Sequence, residues 1–153
     1  MKRIFNLSLL AVVIALGMDI GAVAAENNNA AVNKEIVTSF YNLAFREHKI
    51  EEAFARYGGD KYIQHNPLIP DGKEPVIRFF KGYFKTFPLA KNEIKRAIAE
   101  GDLVALHVLS KKNPADHGRA VVDIFRVENG KIVEHWDVIQ DVLIKAANDN
   151  TMF

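Results

Sequence analysis

The sequence predicts an α+β fold, with helices first and an antiparallel meander last. Three observations carry this. Apolar residues recur at helical spacing up to Pro88 and at strand spacing after it. The pair Asn129-Gly130 sits between two apolar runs, and both residues tolerate the positive φ of a tight hairpin turn. The long aromatic helix opens at Pro75 and is closed by Pro88. Helices that precede a run of strands are expected to lie together on one face of the sheet.

The chain has 153 residues, which suits one domain. Its start reads as an export signal: Lys2-Arg3, an apolar run over 7–17, and the small residues Ala22-Val23-Ala24-Ala25 before Glu26. Residues 1–25 are therefore expected to be a cleaved secretory segment, leaving a periplasmic or secreted protein with no membrane attachment. The run is short and is followed by Asp19, which argues against a membrane span. Losing Lys2, Arg3 and Asp19 takes the formal net charge from +1 to about 0, so a nucleic-acid partner is not expected. With no cysteine there is no disulfide, so the core alone must hold the chain, and the phenylalanines beyond residue 25 make such a core plausible.

In order, residues 26–32 are expected as a flexible leader, 33–145 as the domain and 146–153 as a tail. Asn33 is expected to cap a first helix carrying Ile36, Phe40, Leu43 and Ala44 on one stripe. Residues 50–57 form a second helix, stopped by Gly58-Gly59. Residues 62–66 are a short extended segment, and the third helix carries Val76, Ile77, Phe80, Tyr83, Phe84 and Phe87. Two hairpins follow, 93–99 with 103–111 and the two halves of 119–141. Within the last, Asp123 stands in a run of Val, Ile and Phe, where a carboxylate is costly to bury without partners.

The element order, Tyr-x-Gln-His-Asn-Pro at 62–67 and Asp-Ile-Phe-Arg-Val-Glu-Asn-Gly-Lys-Ile-Val-Glu-His-Trp-Asp-Val at 123–138 resemble SnoaL-like polyketide cyclases of the nuclear transport factor 2-like superfamily. The resemblance spans about 33–142 and is specific for fold more than for activity. It implies a cone-shaped, curved antiparallel or mixed sheet with about three helices on its concave face, enclosing an apolar pocket. It also implies acid/base chemistry on a hydrophobic carbonyl compound without metal or cofactor. Asp123 stands where the family's acid/base aspartate belongs, and His107 resembles its pocket histidine. His65 and Asn66 resemble the polar pair near the mouth. Gln140 stands where related epoxide hydrolases carry a second carboxylate, so paired-carboxylate chemistry is not expected.

The residues alone allow blander readings. Asp123 suits a structural ion pair, His107 a satisfied core histidine, and His65-Asn66 a turn cap before Pro67. No close-spaced ligand pair is present among the five histidines, so no metal is expected, although His65, His107 and Asp123 could be assembled into a zinc site. A two-residue turn pairs Asp123 with Trp136 and puts Val138 and Gln140 on its face; a three-residue turn pairs it with His135 and brings Asp137 there. The first is preferred. The expected site is then Asp123 and His107 as catalytic groups, with Tyr62, His65, Asn66, Phe80, Trp136 and Gln140 against the substrate. The rival function is a binding module for an apolar small molecule. With that register Val122, Ile124, Val133 and Ile139 point outward among Arg126, His135 and Asp137, which predicts a homodimer through the outer face. Arg126 would meet a partner carboxylate, unless the tail 142–153 covers the patch instead.

Overall fold

The computed structural model describes residues 20–153, with side chains from residue 29 onward. The expected secretory segment falls mostly outside them. Helix α1 (Ile20–Tyr41) continues as a π-helical turn, Asn42–Arg46, before α2 (Ile50–Tyr57), strand β1 (Gly58–Gln64) and α3 (Lys73–Thr86). Strands β2 (Lys91–Glu100), β3 (Leu103–Lys111), β4 (Arg119–Glu128) and β5 (Lys131–Asp141) complete one sheet in the order β1-β5-β4-β3-β2. Only β1 runs parallel to its neighbour; the other three pairings are antiparallel, so the sheet is mixed. Among the described residues no helix is long and apolar enough to cross a membrane.

Helix α1 starts upstream of Asn33, so residues 26–32 are helical rather than a loose leader. Asn33 is not a cap. Its amide donates to the Gly101 carbonyl in the β2–β3 turn (3.0 Å), fixing the helix to the far end of the sheet. Helix α2 needs its apolar stripe, Ile50, Ala53 and Phe54, to be held, since eight residues are too few to stand alone. Those side chains and Phe40 of α1 pack onto the sheet, where Phe40 meets Phe54 and Phe125 edge to face at 5.1 and 5.7 Å.

Burial alternates along β3 and β4. Val104, Leu106 and Val108, then Val121, Asp123, Phe125 and Val127, face the helices. His107 and Val122, which are register partners, face the other way. On that outer side lie Ile98, Leu103, Val122, Ile124, Trp136 and Val138. The tail carries no helix or strand, yet Phe153 stacks on His107 with ring centroids 5.3 Å apart.

The central hairpin does not keep the expected register. Asn129 (φ 51°) and Gly130 (φ 74°) make the two-residue turn, with Glu128 opposite Lys131 and Val127 opposite Ile132. Then β5 gains one residue: Arg126 faces Glu134, and both Ile132 and Val133 are buried. This bulge shifts every later pair by one, so Asp123 stands opposite Asp137 rather than Trp136 or His135. Gly59 makes room for it: a Cβ there would lie 2.8 Å from Val133 Cγ1. Val133, His135, Asp137 and Ile139 therefore do not face outward, while Trp136, Val138 and Gln140 are turned away from Asp123.

Candidate active site

Between sheet and helices lies a cavity of about 150 Å³. Its walls are mostly aromatic and aliphatic, including Phe45, Tyr62, Val76, Phe80 and Ile139, with one set of polar groups around Asp123 and another, Asn92, Ser110 and Arg119, farther along the sheet. Asp123 is buried at 7% exposure, and both its oxygens are engaged. Tyr41 donates its hydroxyl to Oδ2 (2.9 Å), and His135 Nε2 stands 3.0 Å from Oδ1. Burial first, then the Asp123 charge, pushes the Tyr41 phenol well above its ordinary range, so it remains a donor.

The tautomer of His135 is fixed from behind. Gln64 Oε1 accepts the backbone N–H of Asn66 (3.0 Å), which identifies that atom as the oxygen. The same oxygen lies 2.9 Å from His135 Nδ1, so Nδ1 must carry a hydrogen and donate. Nε2 and Asp123 Oδ1 are then left facing each other with one proton between them. Either a neutral ring accepts it from a carboxylic acid, or an imidazolium donates it to a carboxylate. Asp137 adds a second carboxylate, held by Asn66 Nδ2 (2.6 Å), whose own Oδ1 accepts the Leu68 N–H (2.9 Å).

Asp123, His135 and Asp137 offer three ligand-type atoms within 4.8 Å of one another. Among the described residues they are the group placed to hold a metal ion, instead of the set His65, His107 and Asp123. A cation between them would take the place of the shared proton.

Of the expected site residues, Asp123, Asn66, Tyr62 and Phe80 line the cavity. His107 does not: the alternation of β3 puts it on the outer face, with Nδ1 2.6 Å from Arg96 Nη1. There burial first, and then the Arg96 charge, lowers its pKa. His65 also turns away, its ring stacked on Trp136 at 4.7 Å and its Nε2 2.9 Å from Glu134 Oε1. Trp136 is thus an outer-face support for β1, not a pocket wall, and Gln140 is exposed. The groups that replace them are Tyr41, Gln64, His135 and Asp137. Alternation along β1 was a usable signal for Gln64, because Tyr62, Gln64 and Asn66 share one side.

A search of curated proteins finds no match. Among solved structures, a Bacillus cereus protein named as a polyketide cyclase aligns with TM-score 0.63 and 22% identity, over 73% of this chain and 76% of that one. AclR of Streptomyces galilaeus, named as a hydroxylase, aligns with TM-score 0.60 and 21% identity, over 72% and 90%. An Agrobacterium tumefaciens protein named as an isomerase of the SnoaL-like family aligns with TM-score 0.60 and 11% identity, over 71% and 97%. At such identities the likeness is one of fold. The family match is made by the sequence: the SnoaL-like domain covers residues 37–135, taking in Tyr41, Gln64, Asn66, Asp123 and His135. The chain belongs to the SnoaL-like domain family.

Proposed function

We propose that this chain is an acid/base enzyme that needs no cofactor and moves a proton at an enolisable carbon of a small hydrophobic carbonyl compound, in a step of the aldol-cyclisation or isomerisation type. The observation that carries the reading is the 3.0 Å contact between Asp123 and His135 at the wall of a largely apolar cavity. In the state with imidazolium beside carboxylate, Asp123 removes the proton on the α-carbon and an enolate forms. The enolate carbon then attacks a second carbonyl carbon and the alkoxide takes the proton back, or the same proton returns to a different carbon. Tyr62 presents a buried phenol to this space, and burial, then Asp123 and Asp137, keeps it protonated. It is placed to donate to the developing oxyanion.

The test uses aryl ketones of different size in deuterated water, with exchange at the α-carbon followed by NMR. The wild-type chain is expected to accelerate exchange, and Asp123→Asn to lose roughly 10²–10⁴-fold while keeping its circular dichroism. An Asp123→Asn chain that folds and exchanges at the full rate overturns the reading.

The second reading is a binding module for an apolar small molecule. Its support is that Tyr41 and His135 already occupy both Asp123 oxygens. Saturable ketone binding with no exchange in the wild type would favour it. The opening residues Lys2-Arg3, the apolar run and Ala22–Ala25 support action outside the cytoplasm in either case.

A further inference from the structure

The inner face of the sheet is laid out in rows. Register partners across β2, β3, β4 and β5 place Leu106, Asp123 and Asp137 in one row. The next inward-facing row is Ile94, Val108, Val121 and Ile139, all apolar. The row beyond that holds Asn92, Ser110, Arg119 and, on β5, the exposed Asp141. The first three line the same cavity as Asp123, and Asp141 does not.

Arg119 is the permanent cation among the described residues lining that cavity. It is half-buried, and none of the ion pairs among the described residues includes it. The carboxylate next along the chain, Asp116, is taken by the backbone N–H groups of Lys112 (2.8 Å) and Gly118 (3.1 Å). Asn92 directs its amide into the Phe45 carbonyl (3.1 Å) and so holds that end of the cavity in shape. The guanidinium meets the Tyr83 phenol, and Asp116 and Asp141 lie near it without forming an ion pair, so a ligand anion would find N–H groups still free for a charge-assisted contact.

We propose that Arg119, with Ser110 beside it, is an anion subsite, and that the substrate carries a carboxylate separated from its reacting carbonyl by an apolar spacer. The inference rests on the reading of Asp123 as the reacting end and names the substrate class for that site. Asp123 and Arg119 are four residues apart on one strand, which sets their backbones roughly 13 Å apart at the usual rise per residue. Val121 and Ile139 lie between them, so the middle of the ligand meets hydrocarbon.

The probes are ω-phenyl-ω-oxoalkanoates from four to seven carbons, each paired with its primary amide, titrated calorimetrically into the full chain. At least one carboxylate should bind about tenfold or more tightly than its amide, as a charge-assisted contact predicts. In Arg119→Gln that preference should vanish with amide affinity unchanged, and Arg119→Lys should restore part of it. A series in which no carboxylate outbinds its amide overturns the subsite, as does a preference that survives Arg119→Gln. The outcome is separable from that of the proton chemistry, because Asp123→Asn should lower exchange by roughly 10²–10⁴-fold and leave the carboxylate preference intact.

Discussion

His135 Nε2 stands 3.0 Å from Asp123 Oδ1, and the other side of the ring is committed to Gln64. The imidazole therefore has no second orientation that satisfies both nitrogens. Two groups that share one proton act as one device, and their removal should not be additive. His135→Gln is expected to lower ketone exchange as far as Asp123→Asn does, roughly 10²–10⁴-fold. The double variant should be no worse than either single one. Additive losses in the exchange rate would mean that the two residues act separately.

The position of His135 depends on a glycine more than seventy residues away in sequence. Gly59 leaves the space into which Val133 bulges, and the bulge turns His135 and Asp137 inward. Gly59→Ala would bring a methyl against Val133 Cγ1, where overpacking costs about 1–3 kcal/mol. Val133→Ala in the same chain should recover part of that loss. Urea denaturation of the four chains of the cycle measures it, and simple additivity would remove the proposed contact.

This dependence explains what the sequence does and does not disclose. Helix α2 and strand β3 keep the limits that periodicity predicts, because each ends at its own glycine or turn. Asp123 is visible as a carboxylate in a hydrocarbon strand. The inward turn of His135 and Asp137 is not, because the bulge is decided by space beside Gly59 on a strand distant in sequence. Tyr41 is hidden for another reason: it sits beside an apolar helical stripe and reads as core, and only its hydroxyl contact with Asp123 marks it out. His107 misleads because its neighbours on the outer face are as apolar as those within.

Phe125 supports the same device from below. It is 1% exposed and packs against Phe40, Tyr41 and His135. Phe125→Ala should destabilise the fold by about 3–5 kcal/mol, as buried phenylalanines do. Phe125→Leu keeps most of the volume and should lose distinctly less. Equal losses in chemical denaturation would show that the ring itself, rather than the volume it fills, is what the site requires.

Acid should release the clamp on β5. Glu134 accepts from His65 Nε2 (2.9 Å) and Arg126 Nε (2.7 Å), and these bonds, His65 first, hold its pKa below the ordinary glutamate value. A carboxylate with a depressed folded pKa stabilises fully above its unfolded value, about 4.3. That contribution disappears as pH falls through the lower folded value. Glu134→Gln should therefore be less stable than wild type near neutrality, by about 1 kcal/mol for a partly exposed pair. The gap should close in acid. A gap in melting temperature that stays constant from pH 7 to about 2, well below the ordinary value, would contradict the assignment.

The outer face of the sheet predicts a homodimer. Ile98 (65% exposed), Leu103 (41%), Val122 (36%) and Val138 (67%) lie on it with Ile124 and Trp136 partly covered. Phe153 shields the His107 corner and leaves Val122 and Val138, which are register partners, open. Arg126 is already paired within its own chain, to Glu134 and Glu128, so the contact needs no ion pair across the two-fold axis. Apolar burial alone must then drive it. Light scattering at micromolar concentration should give about twice the 17.2 kDa of the full chain, or twice the processed mass if residues 1–25 are removed. Val122→Lys with Val138→Lys should halve that value and leave the melting of the monomer fold cooperative. A wild-type mass equal to one chain would show that this face stays open to solvent.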